Sequence, residues 1–348
     1  MSNKKLILVI GATGAQGIAV IDTLLASSAD GTPSPYSVRA LTRNLNSKQA
    51  IELSQKGVEC AKVLEALKGV YGAWVNTDGF TVGEMREIYA GIRIFELAKQ
   101  IGTVRHYVWS NLDYSTKLGN YSPMYKVEHH DGKARVGEWM EAQDSDTSEN
   151  GMTWSCVSTG PYMEMLNMPM FGPLHKREDD TYVFASPIGD GHVPMISVPD
   201  IGYFARYSFD HRKEVSGKDL KVASQVVGWD GPDGLVETFK RVTGKKAVFK
   251  RQSIEEWMNN FYGTDKPVAQ DTGRGSTTWK ANFTAWWSQW RDDIIKRDMD
   301  WIRKTHPNGH TLESWMRENH YTGDHTLVLK GQESPDTLRL NHEVVDKL

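Results

Sequence analysis

The residues best placed to do chemistry stand almost at the start of the chain, in the turn Gly11-Ala12-Thr13-Gly14-Ala15-Gln16-Gly17. In a Gly-x-x-Gly-x-x-Gly turn the first glycine permits a tight bend and the second lets the backbone approach a pyrophosphate. The third lets the following helix pack close to the preceding strand. The helix start then offers free N–H groups and a positive dipole end to an anion. Glycines alone are weak evidence, because ordinary strand-to-helix turns use them too. The flanks decide: residues 6–10 (LILVI) form an unbroken apolar run, and Ile18, Ile21, Leu24 and Leu25 recur at helical spacing. Strand, glycine turn, helix is the order a dinucleotide site requires.

A second strand, 37–42, ends in Arg43 and Asn44. An NAD site usually places an acid near the end of this strand, on the ribose hydroxyls, whereas an NADP site places an arginine beside the 2′-phosphate. No acid stands here, and the planar fork of Arg43 suits a phosphate. The expected cofactor is therefore NADP (as NADPH), ahead of NAD. Arg39, inside the strand, is a second candidate; for either arginine the plain alternative is a solvated cation.

Further strand-like runs at 72–76, 106–110 and 153–157 alternate with helical patterns over 82–100 and 128–141, and the polar stretch 143–151 reads as a loop. The expected fold is α/β, a Rossmann-type doubly wound parallel sheet. One place departs from it. Residues 58–69 would have to supply a third strand, a helix and both connections while crossing three strand spacings, about 14 Å. The third strand is thus expected to be shortened or missing, or 59–68 to form one short helix.

The expected organisation is a dinucleotide-binding domain over 1–160 and, over 161–348, a smaller mixed substrate or lid region with a C-terminal helical extension, interleaved with the core. Met163, Met165, Met168, Met170 and Phe171 crowd the segment after the last core strand, either as adaptable packing or as an apolar substrate pocket. Residues 271–277 read as a loop. The helix after them would carry Trp287, Trp290, Ile294 and Trp301 on one face, a stripe that is usually core and less often a dimer seam.

Composition excludes several function classes. Forty-one Lys and Arg against 44 Asp and Glu leave a net charge of −3, with no basic excess for nucleic acid or anionic membrane. Two cysteines make neither a disulfide framework nor a Cys-rich zinc site. His129-His130-Asp131 point in different directions on a helix, so no metal is expected there. No apolar run reaches the roughly 18 residues of a membrane helix. A cytoplasmic location is expected, or a nuclear one for a regulator.

The motifs GAWVNTDGF (72–80), HYVWSNLDY (106–114), HHDGK (129–133) and TGPYMEM (159–165) together resemble the NmrA-like family, an atypical short-chain dehydrogenase/reductase branch, and in particular its fungal oxidoreductases. The resemblance runs from Leu6 to about Tyr321. It implies that Gly11, Ala12, Thr13, Gly14, Ala15, Gln16 and Gly17 hold the cofactor phosphates and that Arg43 with Asn44 holds the 2′-phosphate. It further implies that Thr77 and Asp78 pass beside the cofactor and that Lys133 lies near the nicotinamide ribose. Tyr162, Met163, Glu164 and Met165 would line the nicotinamide pocket. The acidic stretch that usually follows the second helix in this family, part of its adenine pocket, is absent.

Short-chain reductases usually carry Tyr-x-x-x-Lys on one helix face, the Tyr as proton donor and the Lys orienting the ribose. Here His129 stands where the Tyr would be. Some reductases of the resembled branch use the lysine itself as acid or base, so Lys133 is the expected catalytic residue. The implied function is an NADP(H)-dependent reductase of a small, hydrophobic organic substrate, and the fungal resemblance extends this to a place in secondary metabolism. The same family also implies an alternative, a non-catalytic redox-sensing co-regulator with a protein partner.

Overall fold

The computed structural model describes residues 4–41, 48–61, 66–270, 276–326 and 339–348. The chain passes repeatedly between two units, one built from 1–112, 132–159 and 198–221, the other from 113–131, 160–197 and 222–348.

In the first unit the opening apolar run is β1 (Lys5–Ile10), whose Ile7, Leu8 and Val9 are fully buried. It joins β2 (Tyr36–Leu41), β3 (Glu59–Ala61), β4 (Gly72–Val75), β5 (His106–Leu112), β6 (Thr153–Thr159) and β10 (Lys218–Lys221). The order is β10-β6-β5-β4-β1-β2-β3, with every neighbouring pair parallel. Helices α1 (Ala15–Leu25), α2 (Lys48–Gln55), α3 (Gly79–Val82), α4 (Glu84–Ile101), α6 (Glu128–Glu141, of which the first unit holds Gly132 onward) and α7 (Val198–Asp210) make the crossovers, so the doubly wound α/β reading holds. Close helix packing depends on missing side chains. A Cβ on Gly202 of α7 would lie 2.6 Å from the Ala19 carbonyl oxygen of α1, and one on Gly91 of α4 would lie 2.7 Å from Val136 of α6.

The third strand exists but is three residues long, Arg39 to Leu41 of β2 facing Glu59 to Ala61. Of the two readings of 58–69, the shortened strand is therefore the one realised, and no helix occurs among residues 66–71. The ten residues 62–71 suffice for the crossing, because extended chain spans roughly 3.3 Å per residue. Arg39 secures it: its guanidinium donates to the carbonyls of Ala66 (3.0 Å) and Lys68 (2.7 Å) and pairs with Glu59 at 2.9 Å.

The second unit holds α5 (Ser115–Leu118), β7 (His175–Lys176), β8 (Tyr182–Ser186), β9 (Val193–Met195), β11 (Gln225–Val227), α8 (Leu235–Thr243), β12 (Ala247–Arg251), α9 (Ile254–Asn259), β13 (Phe261–Tyr262), α10 (Trp279–Arg291), α11 (Met299–Thr305), α12 (Leu312–Glu318), β14 (Arg339–Leu340) and α13 (His342–Val345). Its sheets are small: β12-β8-β7, with β7 antiparallel, and the antiparallel pairs β11-β9 and β13-β14. The aromatic stripe is core, with Trp286, Trp287 and Trp290 buried and the Trp257 and Trp287 ring centres 5.1 Å apart. It does not lie on one helix, however. Asp293 takes a left-handed conformation (φ 50°) just after α10, and the Asp298 side chain caps a new helix by accepting from Trp301 N–H at 3.0 Å. Trp301 therefore belongs to α11.

Among the described residues no helix is long and apolar enough to cross a membrane, and no cluster of three His, Cys, Asp or Glu side chains could hold a metal.

Candidate functional site

The glycine turn has the shape its sequence demands. Gly11 sits at φ +80°, and a Cβ on it would come 2.7 Å from the Asn76 carbonyl oxygen at the end of β4. A Cβ on Gly17 would come 2.3 Å from the Gly11 carbonyl oxygen, so only glycine lets α1 start this close to β1. The Gly14 N–H donates to Gly11 O at 3.0 Å, closing the turn. Gly14 is the N-cap of α1; no side chain caps this helix, and its first turn carries no acid. An anion at this helix start would thus meet backbone amides and a positive dipole end with no competing carboxylate. Gln16 is buried and its side chain accepts from Ser110 of β5 at 2.8 Å, tying the turn to the middle of the sheet.

Beside this turn, Lys133 of α6 reaches the carboxyl end of β4. Its ammonium donates to Asn76 Oδ1 (3.0 Å) and to the Thr77 carbonyl (2.8 Å), and pairs with Glu87 Oε1 of α4 at 3.1 Å. The Thr77 hydroxyl donates to the same Glu87 oxygen at 2.6 Å. The Trp109 ring centre lies 5.3 Å from the ammonium, and Trp109 Nε1 donates to the Lys133 carbonyl. Asp78 accepts from the Thr81 hydroxyl at 2.7 Å at the start of α3. The glycine turn, Thr77, Asp78 and Lys133 are thus brought together at the carboxyl ends of β1 and β4, where open α/β sheets bind ligands.

Of the other expected site residues, several lie in the second unit. Tyr162, Met163, Glu164 and Met165 belong to the second unit: Tyr162 bridges to Ile196, Met163 N–H donates to the Ile196 carbonyl at 2.9 Å, and Glu164 accepts from Trp315 Nε1 at 3.2 Å. Met163 and Met170 are buried in that unit's core, while Met165 and Met168 are partly buried against it. His129 interacts with Asn282 at 3.1 Å and stacks on Phe283. Arg43 and Asn44 lie outside the described residues. Arg39, the second arginine candidate, is committed to the short crossover described above.

Two residues of the Lys133 cluster, Asn76 and Glu87, do not stand out in the sequence. A signal for Glu87 was present: it lines up with Gly91, Phe95 and Ala98 on the buried stripe of α4, where a carboxylate is out of place.

Comparison with known proteins fits this geometry. The sequence pattern of the NmrA-like family matches residues 3–276. The chain is 30% identical over 294 residues to the NmrA-like family domain-containing oxidoreductase hkm9 of Aspergillus hancockii, a match that spans 77% of this chain and 80% of that protein. It is 26% identical over 287 residues to malD of Malbranchea aurantiaca, another NmrA-like family domain-containing oxidoreductase, over 74% and 78% of the two chains. Among solved structures, NmrA, a negative transcriptional regulator, in complex with NAD matches with a TM-score of 0.67 at 18% identity, over 90% of this chain and 95% of that one. The Citrobacter sp. triphenylmethane reductase complexed with NADP(H) matches with a TM-score of 0.63 at 16% identity, over 90% and 99%. At those identities the structural likeness speaks for the fold alone. The match across 3–276, together with the 30% relative, shows that the chain belongs to the NmrA-like family.

Proposed function

We propose that this protein is an NADP(H)-dependent oxidoreductase that reduces a small, apolar organic substrate. The observation that carries the reading is the junction of an uncapped, glycine-rich turn with a lysine ammonium, both meeting at Asn76. The names of the fungal relatives as oxidoreductases support it, as do dinucleotides in structures of the same fold. Their fungal sources favour a role in fungal secondary metabolism.

The residues present fit a dinucleotide: glycines at the close approaches of the turn, where a Cβ on Gly11 or Gly17 would meet backbone, a helix start without a cap, and a cation at the neighbouring strand end. The amides of the 11–17 turn would hold the pyrophosphate, with Thr77 and Asp78 alongside. Lys133 would set its positive charge near the nicotinamide ribose and the reacting group. Arg43 and Asn44 would select the 2′-phosphate, and Tyr162, Glu164 and Met165 would line the nicotinamide pocket, with Met163 anchoring their segment in the second unit's core. A bound NADPH supplies the hydride.

The test titrates NADPH and NADH by fluorescence, then follows NADPH oxidation against a panel of apolar ketones, enones and imines. Tighter NADPH binding and turnover with some member are expected; a protein that ignores both dinucleotides sinks the reading. Arg43→Ala should weaken NADPH at least about tenfold more than NADH, given the worth of a charge-assisted phosphate contact. Equal losses would remove Arg43 from the role.

One observation favours a second reading. All three ammonium protons of Lys133 already have acceptors in the chain, and no tyrosine stands four residues before it. That suits a dinucleotide-sensing co-regulator with a protein partner, and tight binding without any turnover would select it.

A further inference from the structure

Glu87 is fully buried, yet it stands on the apolar stripe of α4. A carboxylate in a dry place needs a counter-charge and hydrogen-bond donors. It has both on one oxygen: Lys133 at 3.1 Å and the Thr77 hydroxyl at 2.6 Å meet Oε1. The other oxygen, Oε2, has no hydrogen-bond partner among the described residues, and two glycines make the room it occupies. A Cβ on Gly79 would lie 2.5 Å from Oε2, and one on Gly132 would lie 3.0 Å from it. The Asp-Gly steps at 78–79 and 131–132, distant in sequence, thus act together to open a recess the size of a carboxylate.

An ammonium has three protons. With the Thr77 hydroxyl a more distant contact at 3.4 Å, those of Lys133 have Asn76 Oδ1, Thr77 O and Glu87 Oε1 as acceptors, which restricts the group's orientation. Two of these acceptors belong to the Asn76–Thr77 turn, and the Asn76 carbonyl is what bounds the space over Gly11. The chain of contacts therefore runs from the Glu87 carboxylate through the Lys133 ammonium to the floor of the phosphate turn.

We propose that Glu87 is a positioning residue for dinucleotide binding: its carboxylate fixes the Lys133 ammonium, and through it holds the Asn76–Thr77 turn against the glycine loop. This rests on the dinucleotide reading given above, and adds what keeps that site in shape. Glu87 itself need not touch the ligand.

The test is a pair of mutant cycles read as NADPH affinity, with melting temperature recorded for every variant. Glu87→Gln and Lys133→Met should each weaken NADPH about tenfold, and the double variant no more than the worse single one, because partners in one network are not additive. Gly79→Ala should weaken NADPH in the native chain and add nothing in a Glu87→Ala chain, since the three atoms nearest the new Cβ all belong to Glu87. Additive losses in the first cycle, or equal harm from Gly79→Ala in both backgrounds, would overturn the proposal. Should Glu87→Gln not fold, Glu87→Asp keeps the charge but shortens its reach. It should weaken NADPH severalfold, and native affinity there would also overturn the proposal. A native chain that binds NADPH while the cycles are additive rejects the role of Glu87 alone; a native chain that binds no dinucleotide rejects the functional reading and this role with it.

Discussion

A single methyl group at Gly17 has nowhere to go. It would sit 2.3 Å from the Gly11 carbonyl oxygen and 2.6 Å from Ala12 Cα, both backbone atoms that cannot swing aside. Gly17→Ala must therefore push α1 away from β1. Such overpacking costs about 1–3 kcal/mol of stability, which urea unfolding would read. NADPH affinity should fall with it, because the amides of the turn move as well; a variant with native stability would show that the turn yields more easily than these distances imply. This constraint was legible in the sequence, since strand, glycine spacing and helix are all local. The environment of Lys133 was not. The hydrogen-bond acceptors of its ammonium come from the end of β4 and from α4, 46 or more residues earlier in the chain, and the buried carboxylate depends on glycines in two separate segments. Nothing in the spacing of 129–133 reports that, and so Lys133 stood out while Glu87 did not.

At the scale of elements, hydrophobic periodicity found β1, β2, β4, β5 and β6 but not β8, β10, β11 or β12, and α6 spans the residues its pattern predicted. It erred where a polar residue ends one helix and caps another, as Asp293 and Asp298 do between α10 and α11. The length of 58–69 foretold the short third strand, because a crossing distance is fixed by strand spacing whatever the sequence. What it could not foretell is the device that makes the crossing hold. Arg39 is mostly buried and donates to two carbonyls of the connection, one of them on the buried Ala66. Arg39→Met should leave those carbonyls short of donors and cost about 1–3 kcal/mol in urea unfolding, nearly all of it from the hydrogen bonds. The ion pair to the exposed Glu59 adds little. Hydrogen exchange of residues 66–71 should quicken in the variant. Unchanged exchange there would mean that the apolar contacts of Leu67 and Val70 with the unit's core suffice.

At the scale of the whole molecule, two buried histidines set how the protein meets acid. His106, on β5 in the first unit, lies between the hydroxyls of Thr153 (2.8 Å) and Ser155 (3.2 Å). Burial, helped by the nearby Arg212 charge, holds its pKa down at about 3. His130, at the start of α6 in the second unit, is likewise held at about 3, chiefly by burial; Arg297 lowers it further while a hydrogen bond to the Asp113 backbone opposes the shift. In the unfolded chain each would titrate near 6.5. Between those two values the unfolded state carries a proton that the folded state refuses, so each histidine's contribution is complete above pH 7 and is lost as pH falls through 6.5 toward 3. From pH 7 to pH 5 the loss is about 2 kcal/mol per histidine. This window lies above the range where carboxylates that accept hydrogen bonds, such as Asp292 and Asp324 with their lowered pKa values, begin to protonate. Urea unfolding at pH 7 and pH 5 should therefore show the fall in the native protein and a smaller one in His106→Gln, by about the share of one histidine. Should the two units melt separately, the substitution should flatten only the first unit's transition, leaving the second with the acid sensitivity of His130. An undiminished fall in His106→Gln would mean that His106 is protonated inside the folded sheet, and that its two hydroxyl neighbours both accept from it.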